Sequence, residues 1–180
     1  MIALQPISPV DRPVRAAAPA ATIYSFMPAG GTDRARRESR WIIRQLTDAI
    51  EAGLAAEADG RTVLLADFSG TPMNSTSSIT CVDLTDANPG QAREAIRASD
   101  AVFVVSTSDP ASIEEASAQG AKLQSVLSSL LRVETCGLLL VPAAQGVSPS
   151  QAEERTGLPV CGMLESPNHI DQLARWITQK

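Results

Sequence analysis

Short apolar runs alternate along this chain with longer stretches in which apolar residues recur at helical spacing. The runs are continuous in Val, Ile and Leu, which is typical of strands that are covered on both faces. Strands that alternate with crossover helices predict an α/β fold, here a three-layer α/β/α sandwich with a mainly parallel central sheet. The predicted strands are Thr22–Phe26, Thr62–Asp67, Ser78–Asp83, Ala101–Ser106, Gly137–Val141 and Val160–Leu164.

The stretches between these runs predict five helices. Trp41 and Trp176 fall at helical spacing with apolar neighbours, so we expect both side chains to pack in the core. Ser148 before Pro149, and Asn168 before the last helix, are signals of helix starts. The predicted helices are Arg36–Ala56, Pro89–Ala98, Ile113–Leu131, Pro149–Thr156 and Ile170–Thr178.

The first 21 residues differ in composition from the rest of the chain, with prolines at positions 6, 9, 13 and 19. Proline removes a backbone donor and restricts the residue before it, which predicts an extended arm. Such an arm is either a poorly ordered terminus or a linker or docking peptide. The remaining residues, 22–180, have the length of one ordinary domain.

The charge balance restricts the choice of partners. The chain carries 15 Lys and Arg against 20 Asp and Glu, a net charge of −5, which argues against a nucleic-acid backbone as partner. No apolar stretch approaches the roughly 20 residues that cross a bilayer. Residues 1–21 also lack the continuous apolar core of a signal peptide. We therefore expect a cytoplasmic protein without a membrane span.

The cysteines and the single histidine limit the catalytic chemistry. Cys81, Cys136 and Cys161 are widely spaced beside apolar runs, which predicts buried, reduced thiols. His169 follows Pro167 near a helix start, where we expect it to cap the helix at the surface. With one histidine, neither a His and Cys metal site nor a histidine-based triad is expected.

The loop after the first predicted strand is the strongest candidate for a ligand site. In parallel sheets, ligands bind beyond the carboxyl ends of the strands. Here that loop reads MPAGGTDRARRES, and the adjacent Gly30 and Gly31 allow backbone N–H groups to approach an anion at a helix N-terminus. The pattern G-x-x-x-x-G-K-[ST] is absent, and no lysine precedes Lys122. The loop therefore lacks the ammonium group usual in a phosphate cradle.

Two of the predicted strands end in aspartate, Asp67 and Asp83. A carboxylate at such a position holds a metal-bound water or orients a nucleophile in some proteins. In others it caps the turn that follows the strand. Both interpretations are open, and these two residues are the candidate catalytic remnants of the chain.

Five arginines, at positions 34, 36, 37, 40 and 44, open the first long helix. One interpretation is a solvated helix face balanced by Glu38. Cations at a helix N-terminus oppose the helix dipole, which points to an acidic partner or ligand as the other interpretation.

The order of these segments resembles the MinD/ParA branch of the P-loop ATPases, the SIMIBI class. That branch includes the bacterial tyrosine autokinases of exopolysaccharide synthesis and the CpaE/TadZ-type localisation proteins. The resemblance runs from Thr22 to Lys180, and its most specific segments are GRTVLLAD, SDAVFVVSTSDPASIEEA and GVSPSQAEERTGLPVCG. It implies a P-loop NTPase-like fold.

The family's deviant Walker A motif, KGGxGK[ST], matches residues 29–35 incompletely. Ala29 replaces its first lysine and Asp33 its third glycine, while Arg34 replaces the phosphate-binding lysine and Ala35 the magnesium-binding hydroxyl. A shifted alignment, which matches Pro28 to the proline before the autokinase motif, places Thr32 at the phosphate lysine. The resemblance thus implies a degenerate phosphate loop made of Gly30, Gly31, Thr32 and Arg34.

These losses change the implied activity. An aspartate in the cradle projects negative charge toward a polyphosphate, and without the hydroxyl a magnesium ion loses a ligand. Ser69 stands where the family often has a second switch aspartate, and Pro142 where an asparagine commonly reads adenine. The resemblance therefore implies a pseudo-ATPase that needs no cofactor and acts as an interaction or regulatory subunit. Its implied partners are a protein, such as a membrane-anchored component of polysaccharide export, secretion or localisation, or a second ATPase-like chain in a homodimer or heterodimer.

The alternative is a divergent nucleotide-binding ATPase of the same family. In that case Gly30, Gly31 and Arg34 form a divergent cradle for ATP, and Asp67 and Asp83 handle magnesium and water. Magnesium-dependent nucleotide binding separates the two hypotheses.

Overall fold

A computed structural model describes residues 22–57, 60–67, 78–129 and 136–179. The strands are β1 Thr22–Pro28, β2 Val63–Ala66, β3 Ile79–Asp83, β4 Ala101–Thr107, β5 Cys136–Val141 and β6 Val160–Met163. The helices are α1 Asp33–Ala56, α2 Pro89–Ala98, α3 Pro110–Ser129, α4 Pro149–Thr156 and α5 Pro167–Thr178. The predicted arm at 1–21, Ser69 and the predicted end of the third helix at Leu131 lie outside the described residues.

The six strands form one sheet in the order β2-β3-β1-β4-β5-β6, and every pair of neighbours is parallel. Buried side chains form one core cluster on each face of this sheet. Helices α2, α3 and α4 contribute to the first cluster, and α1 and α5 to the second. This arrangement confirms the predicted three-layer α/β/α sandwich with a parallel sheet.

Strand β1 lies in the middle of the sheet, next to β4. The helices that follow these two strands pack on opposite faces of the sheet. The helix after β1, α1, packs on one face, whereas the helix after the neighbouring β4, α3, packs on the other. A crevice outside the carboxyl ends of two such strands is where parallel α/β sheets bind ligands. The β1–α1 loop lies at this crevice and is therefore the candidate ligand site.

Local capping signals set the helix starts. Asn88 and Ser148 each form a capping box with the glutamine three residues later, and both are followed by proline, so α2 and α4 have the predicted bounds. Helix α1 begins three residues earlier than predicted, because the Thr32 hydroxyl accepts a hydrogen bond from the Ala35 backbone N–H at 3.2 Å. Helices α3 and α5 also begin earlier, each at a proline.

Three expectations about burial are wrong. Trp41 is 56% exposed, because it lies beside the buried stripe of α1 rather than in it. Trp176 is 41% exposed, since it covers Tyr24 and Phe103 from outside, with ring centroids 6.4 and 6.3 Å away. Of the three thiols, Cys81 and Cys136 are buried as predicted, but Cys161 lies exposed on the edge strand β6.

Candidate functional site

The β1–α1 loop carries the two glycines that the sequence singled out. Its first residue, Ala29, is buried and donates its backbone N–H to the Val105 carbonyl of β4 at 2.9 Å. Gly30 and Gly31 follow, and Thr32 then caps α1. The structure thus places the predicted loop between the end of the central strand and a helix N-terminus, the position in which backbone N–H groups favour anions.

An acidic side chain from α3 occupies the space against Gly30. A Cβ atom built on Gly30 would lie 1.5 Å from Oε2 of Glu115 and 2.4 Å from its carboxyl carbon. Around Gly31, by contrast, a Cβ atom would meet nothing within 4 Å. A carboxylate at this place makes the electrostatic potential at the loop more negative, which opposes the approach of an anion. Sequence reasoning missed Glu115, because no local pattern connects it with Gly30.

A cavity of about 670 Å³ extends from this loop between α2 and α3, and we call it the α2–α3 groove. Its apolar wall includes Met27, Leu84 and Ile96, all of which are buried. Its cationic side chains are Arg36 of α1, Arg93 of α2 and Lys122 of α3, and all three residues are exposed. The groove therefore combines an apolar surface with positive charge, and Glu115 stands at its glycine end.

Thr32 and Arg34 face a different and much smaller cavity, of about 30 Å³, which Ser106, Thr107 and Ser112 also line. The four residues predicted for the phosphate loop are therefore divided: Gly30 and Gly31 line the groove, and Thr32 and Arg34 line this second cavity. Arg34 also forms an ion pair with Glu38, with its Nε 2.9 Å from Glu38 Oε1.

Beside the small cavity, a polar cluster joins the end of β4 to the start of α3. Asp109 accepts hydrogen bonds from the Thr107 hydroxyl, from the Ser112 hydroxyl at 2.7 Å and from the Ser112 backbone N–H at 3.0 Å. The Thr107 bond is the largest cause that lowers the pKa of Asp109 below its usual range, and the charge of Arg34 adds to it. This cluster was not predicted from the sequence, although an aspartate directly before a proline, as at Asp109, is typical of a helix N-cap.

The two strand-end aspartates lie at the carboxyl edge of the sheet but outside the groove. Asp83 Oδ1 accepts hydrogen bonds from the Thr85 backbone N–H at 2.8 Å and from the Thr85 hydroxyl, which is the turn-capping arrangement. Asp67 follows β2, which β3 separates from β1. Neither aspartate is among the described residues that line the groove. A catalytic role for Asp67 and Asp83 stays a prediction.

A second ion pair ties α1 to the segment after β3, between the Arg40 guanidinium and the Asp86 carboxylate. His169, in the first turn of α5, accepts a hydrogen bond at its Nδ1 from the Glu165 backbone N–H at 3.3 Å, and no side chain of the described residues caps this helix. Across the described residues, no helix combines the length and hydropathy that a membrane span requires. Within those same ranges, no three His, Cys, Asp or Glu side chains converge as metal ligands would.

Three features of the residues around the loop weigh against a magnesium-bound nucleotide there. Glu115 brings a carboxylate against Gly30, where phosphate charge would be repelled. Ala35, in the first turn of α1, has no side-chain oxygen to offer a magnesium ion, and one Asp83 oxygen already accepts two hydrogen bonds.

This α/β fold, a six-stranded parallel sheet with helices on both faces, matches solved structures of MinD and ParA family ATPases. The structure is similar to a ParA family ATPase from Chlorobium tepidum TLS, with a TM-score of 0.64, 10% identity and coverage of 87% of this chain and 99% of that one.

Two further solved structures, both from Aquifex aeolicus, share the fold. The MinC:MinD cell division protein complex matches with a TM-score of 0.62 and 9% identity, over 89% of this chain and 96% of that one. The MinD cell division protein matches with a TM-score of 0.57 and 12% identity, over 89% and 98% of the two chains.

No protein-family model matches the sequence, and no curated protein matches it either. The likeness therefore lies in the fold and leaves the activity to be argued from the site.

Proposed function

We propose that this protein is a non-hydrolysing, P-loop ATPase-like interaction or regulatory subunit. The observation that carries the proposal is the Glu115 carboxylate against Gly30. In working sites of this kind, the glycine loop presents backbone N–H groups to phosphate oxygens, and a carboxylate in that space opposes them. The absence of a hydroxyl at Ala35 supports the proposal as well, because a magnesium ion would lack a ligand there.

The proposed partner is a protein. The solved MinC:MinD complex is a case in which a chain of this fold assembles with a second protein. We propose a cytoplasmic subunit that docks on a component of an exopolysaccharide-export, secretion or localisation system, including a membrane-anchored one. Association with a second ATPase-like chain, as a homodimer or as a heterodimer with an active paralogue, fits the same proposal.

Calorimetric titration with ATP and with ADP, each with and without magnesium, tests the proposal. The protein is first shown to be folded by its cooperative thermal unfolding. We expect no magnesium-dependent heat at concentrations that detect a dissociation constant of about 1 mM. Magnesium-dependent binding that is accompanied by ATP hydrolysis would overturn the proposal in favour of a divergent ATPase, and loss of that binding in Asp83→Ala would identify the metal-handling carboxylate.

A further inference from the structure

The α2–α3 groove is built from two helical stripes that face each other. On each helix, the lining residues recur every three or four positions, so one side of the helix is turned to the groove. The α2 stripe consists of Pro89, Ala92, Arg93 and Ile96, and the α3 stripe of Glu115, Ala118, Gln119, Lys122 and Val126. Small and apolar residues between the longer side chains leave a channel, and the buried Met27 and Leu84 also line it.

The groove lining carries three cationic side chains against the single carboxylate of Glu115. Ion pairs between described residues join Arg34 to Glu38 and Arg40 to Asp86, and neither involves Arg36, Arg93 or Lys122. These three cations lie on three different helices around one apolar channel. A cluster of cations beside an apolar channel is complementary to a partner that presents acidic and apolar side chains.

The segments of this chain outside the described residues do not supply the missing charge. Residues 1–21 contain Arg12 and Arg15 against the single carboxylate of Asp11, and residues 68–77 contain no charged side chain. Residues 130–135 carry one arginine and one glutamate, and residues 58–59 carry one aspartate, so none of these segments is an acidic stretch. A polyphosphate is disfavoured by Glu115 at the glycine end. The remaining match is a ligand that has carboxylates on one side and apolar side chains on the other.

We propose that the α2–α3 groove binds an acidic amphipathic helix of a partner protein. The apolar side chains of that helix pack on Met27, Leu84 and Ile96, and its carboxylates pair with Arg36, Arg93 and Lys122. This is the helix-in-groove mode of recognition, in which anchors recur at i, i+3 or i+4, and i+7. The inference deepens the proposed function, on which it rests, by naming the chemistry of the partner and the surface that receives it.

Peptide selection tests the groove without knowledge of the partner. Displayed random peptides of about 16 residues, roughly four helical turns, are selected on the full chain. The strongest binder is then synthesised and titrated by fluorescence anisotropy. We expect acidic sequences with apolar residues at helical spacing, and binding that weakens as salt rises, because charged pairs at the rim are screened.

Charge reversal locates the binding surface. We expect Arg93→Glu combined with Lys122→Glu to weaken the selected peptide at least about tenfold. The matched control is Arg37→Glu combined with Arg44→Glu, two exposed positions of α1 outside the groove lining, and it should change the affinity less than about twofold. Glu115→Gln removes the one carboxylate of the lining and should tighten binding, whereas Glu114→Gln, at an exposed position outside the lining, should not.

The proposal is overturned if selection returns no binder, if the binders show no acidic bias, or if the groove variant and its control bind equally. A concentration-dependent dimer that the groove variant abolishes would also overturn it, by assigning the surface to a second copy of this chain. Nucleotide titration is a separate readout: magnesium-dependent ATP binding accompanied by ATP hydrolysis refutes the proposed function, while failure of the peptide experiments alone refutes only the groove assignment.

Discussion

The Thr107 hydroxyl donates a hydrogen bond to the Asp109 carboxylate, two residues further along the chain. The same carboxylate accepts a bond from the Ser112 backbone N–H in the first turn of α3. Asp109 therefore connects the end of a central strand to the start of the helix that carries Glu115 and Lys122. The position of α3 above the glycine loop depends in part on this carboxylate.

Acid should destabilise the wild-type protein partly through Asp109. Its folded-state pKa is lowered, chiefly by the Thr107 hydrogen bond, so its contribution to stability is present above the unfolded-state pKa of about 4 and is lost as the pH falls through the folded-state pKa. We expect Asp109→Asn, which keeps an oxygen acceptor but does not titrate, to lose less stability in acid than the wild type. Urea unfolding between pH 7 and pH 2.5 measures the difference.

Two variants control this experiment. Asp109→Ala removes the helix cap and should cost about 1 kcal/mol at neutral pH. Asp48→Asn, at an exposed position of α1, should leave the acid dependence unchanged. An Asp109→Asn protein that loses as much stability in acid as the wild type would contradict the role assigned to the carboxylate.

The electrostatic block at Gly30 predicts a partial gain of binding. We expect Glu115→Ala to bring the dissociation constant for ADP into the range of about 1 mM, because the repelling carboxylate is gone. Magnesium should not increase the affinity further, since Ala35 still has no side-chain oxygen to bind it. Calorimetry on this variant and on Glu114→Ala measures the effect, and equal behaviour of the two proteins would show that Glu115 is not what excludes the nucleotide.

The three thiols should differ sharply in reactivity. Burial raises the pKa of Cys81 to about 12 and also raises that of Cys136, so neither forms much of the reactive thiolate at pH 8. Cys161 is exposed on the edge strand. We expect iodoacetamide to add one label to the folded protein, at Cys161, as measured by intact mass. Rapid labelling of folded Cys161→Ser would contradict this assignment.

The two tryptophans should contribute unequally to stability. Trp176 contacts the rings of Tyr24 and Phe103, so Trp176→Ala should cost about 2 kcal/mol, less than for a fully buried ring because the side chain is partly exposed. Trp41 is 56% exposed, and Trp41→Ala should cost less than about 1 kcal/mol. Urea unfolding of the two variants compares them directly, and a larger loss for Trp41→Ala would contradict the observed packing.

Much of the fold was predictable because its signals are local. At the starts of α2 and α4, a polar cap residue, the proline after it and a glutamine two positions further on all lie within one helical turn. The sequence therefore predicts both helices with their observed bounds. Continuous apolar runs likewise marked the six strands, to within two residues at each end. The early start of α1 was missed, although the Thr32 cap that produces it is also a local signal.

Burial at helix flanks was harder to predict. Trp41 is adjacent in sequence to Ile42, and apolar spacing alone placed both on the inner face. The two side chains are separated by a rotation of about 100° around the helix axis. The buried surface of α1 is wide enough to include Ile42 but does not extend to Trp41. Cys161 shows the same limit in a strand, since its exposure follows from the position of β6 at the edge of the sheet.

By itself, the sequence determined the α/β class, the parallel sheet, the glycine loop after the first strand and the absence of the pattern G-x-x-x-x-G-K-[ST] from that loop. Those properties depend on residue type and on spacing within a few turns. Only the tertiary structure brought Glu115 against Gly30 and placed Arg36, Arg93 and Lys122 around one apolar groove. These residues belong to elements far apart along the chain, and packing of the helices on one sheet edge brings them together.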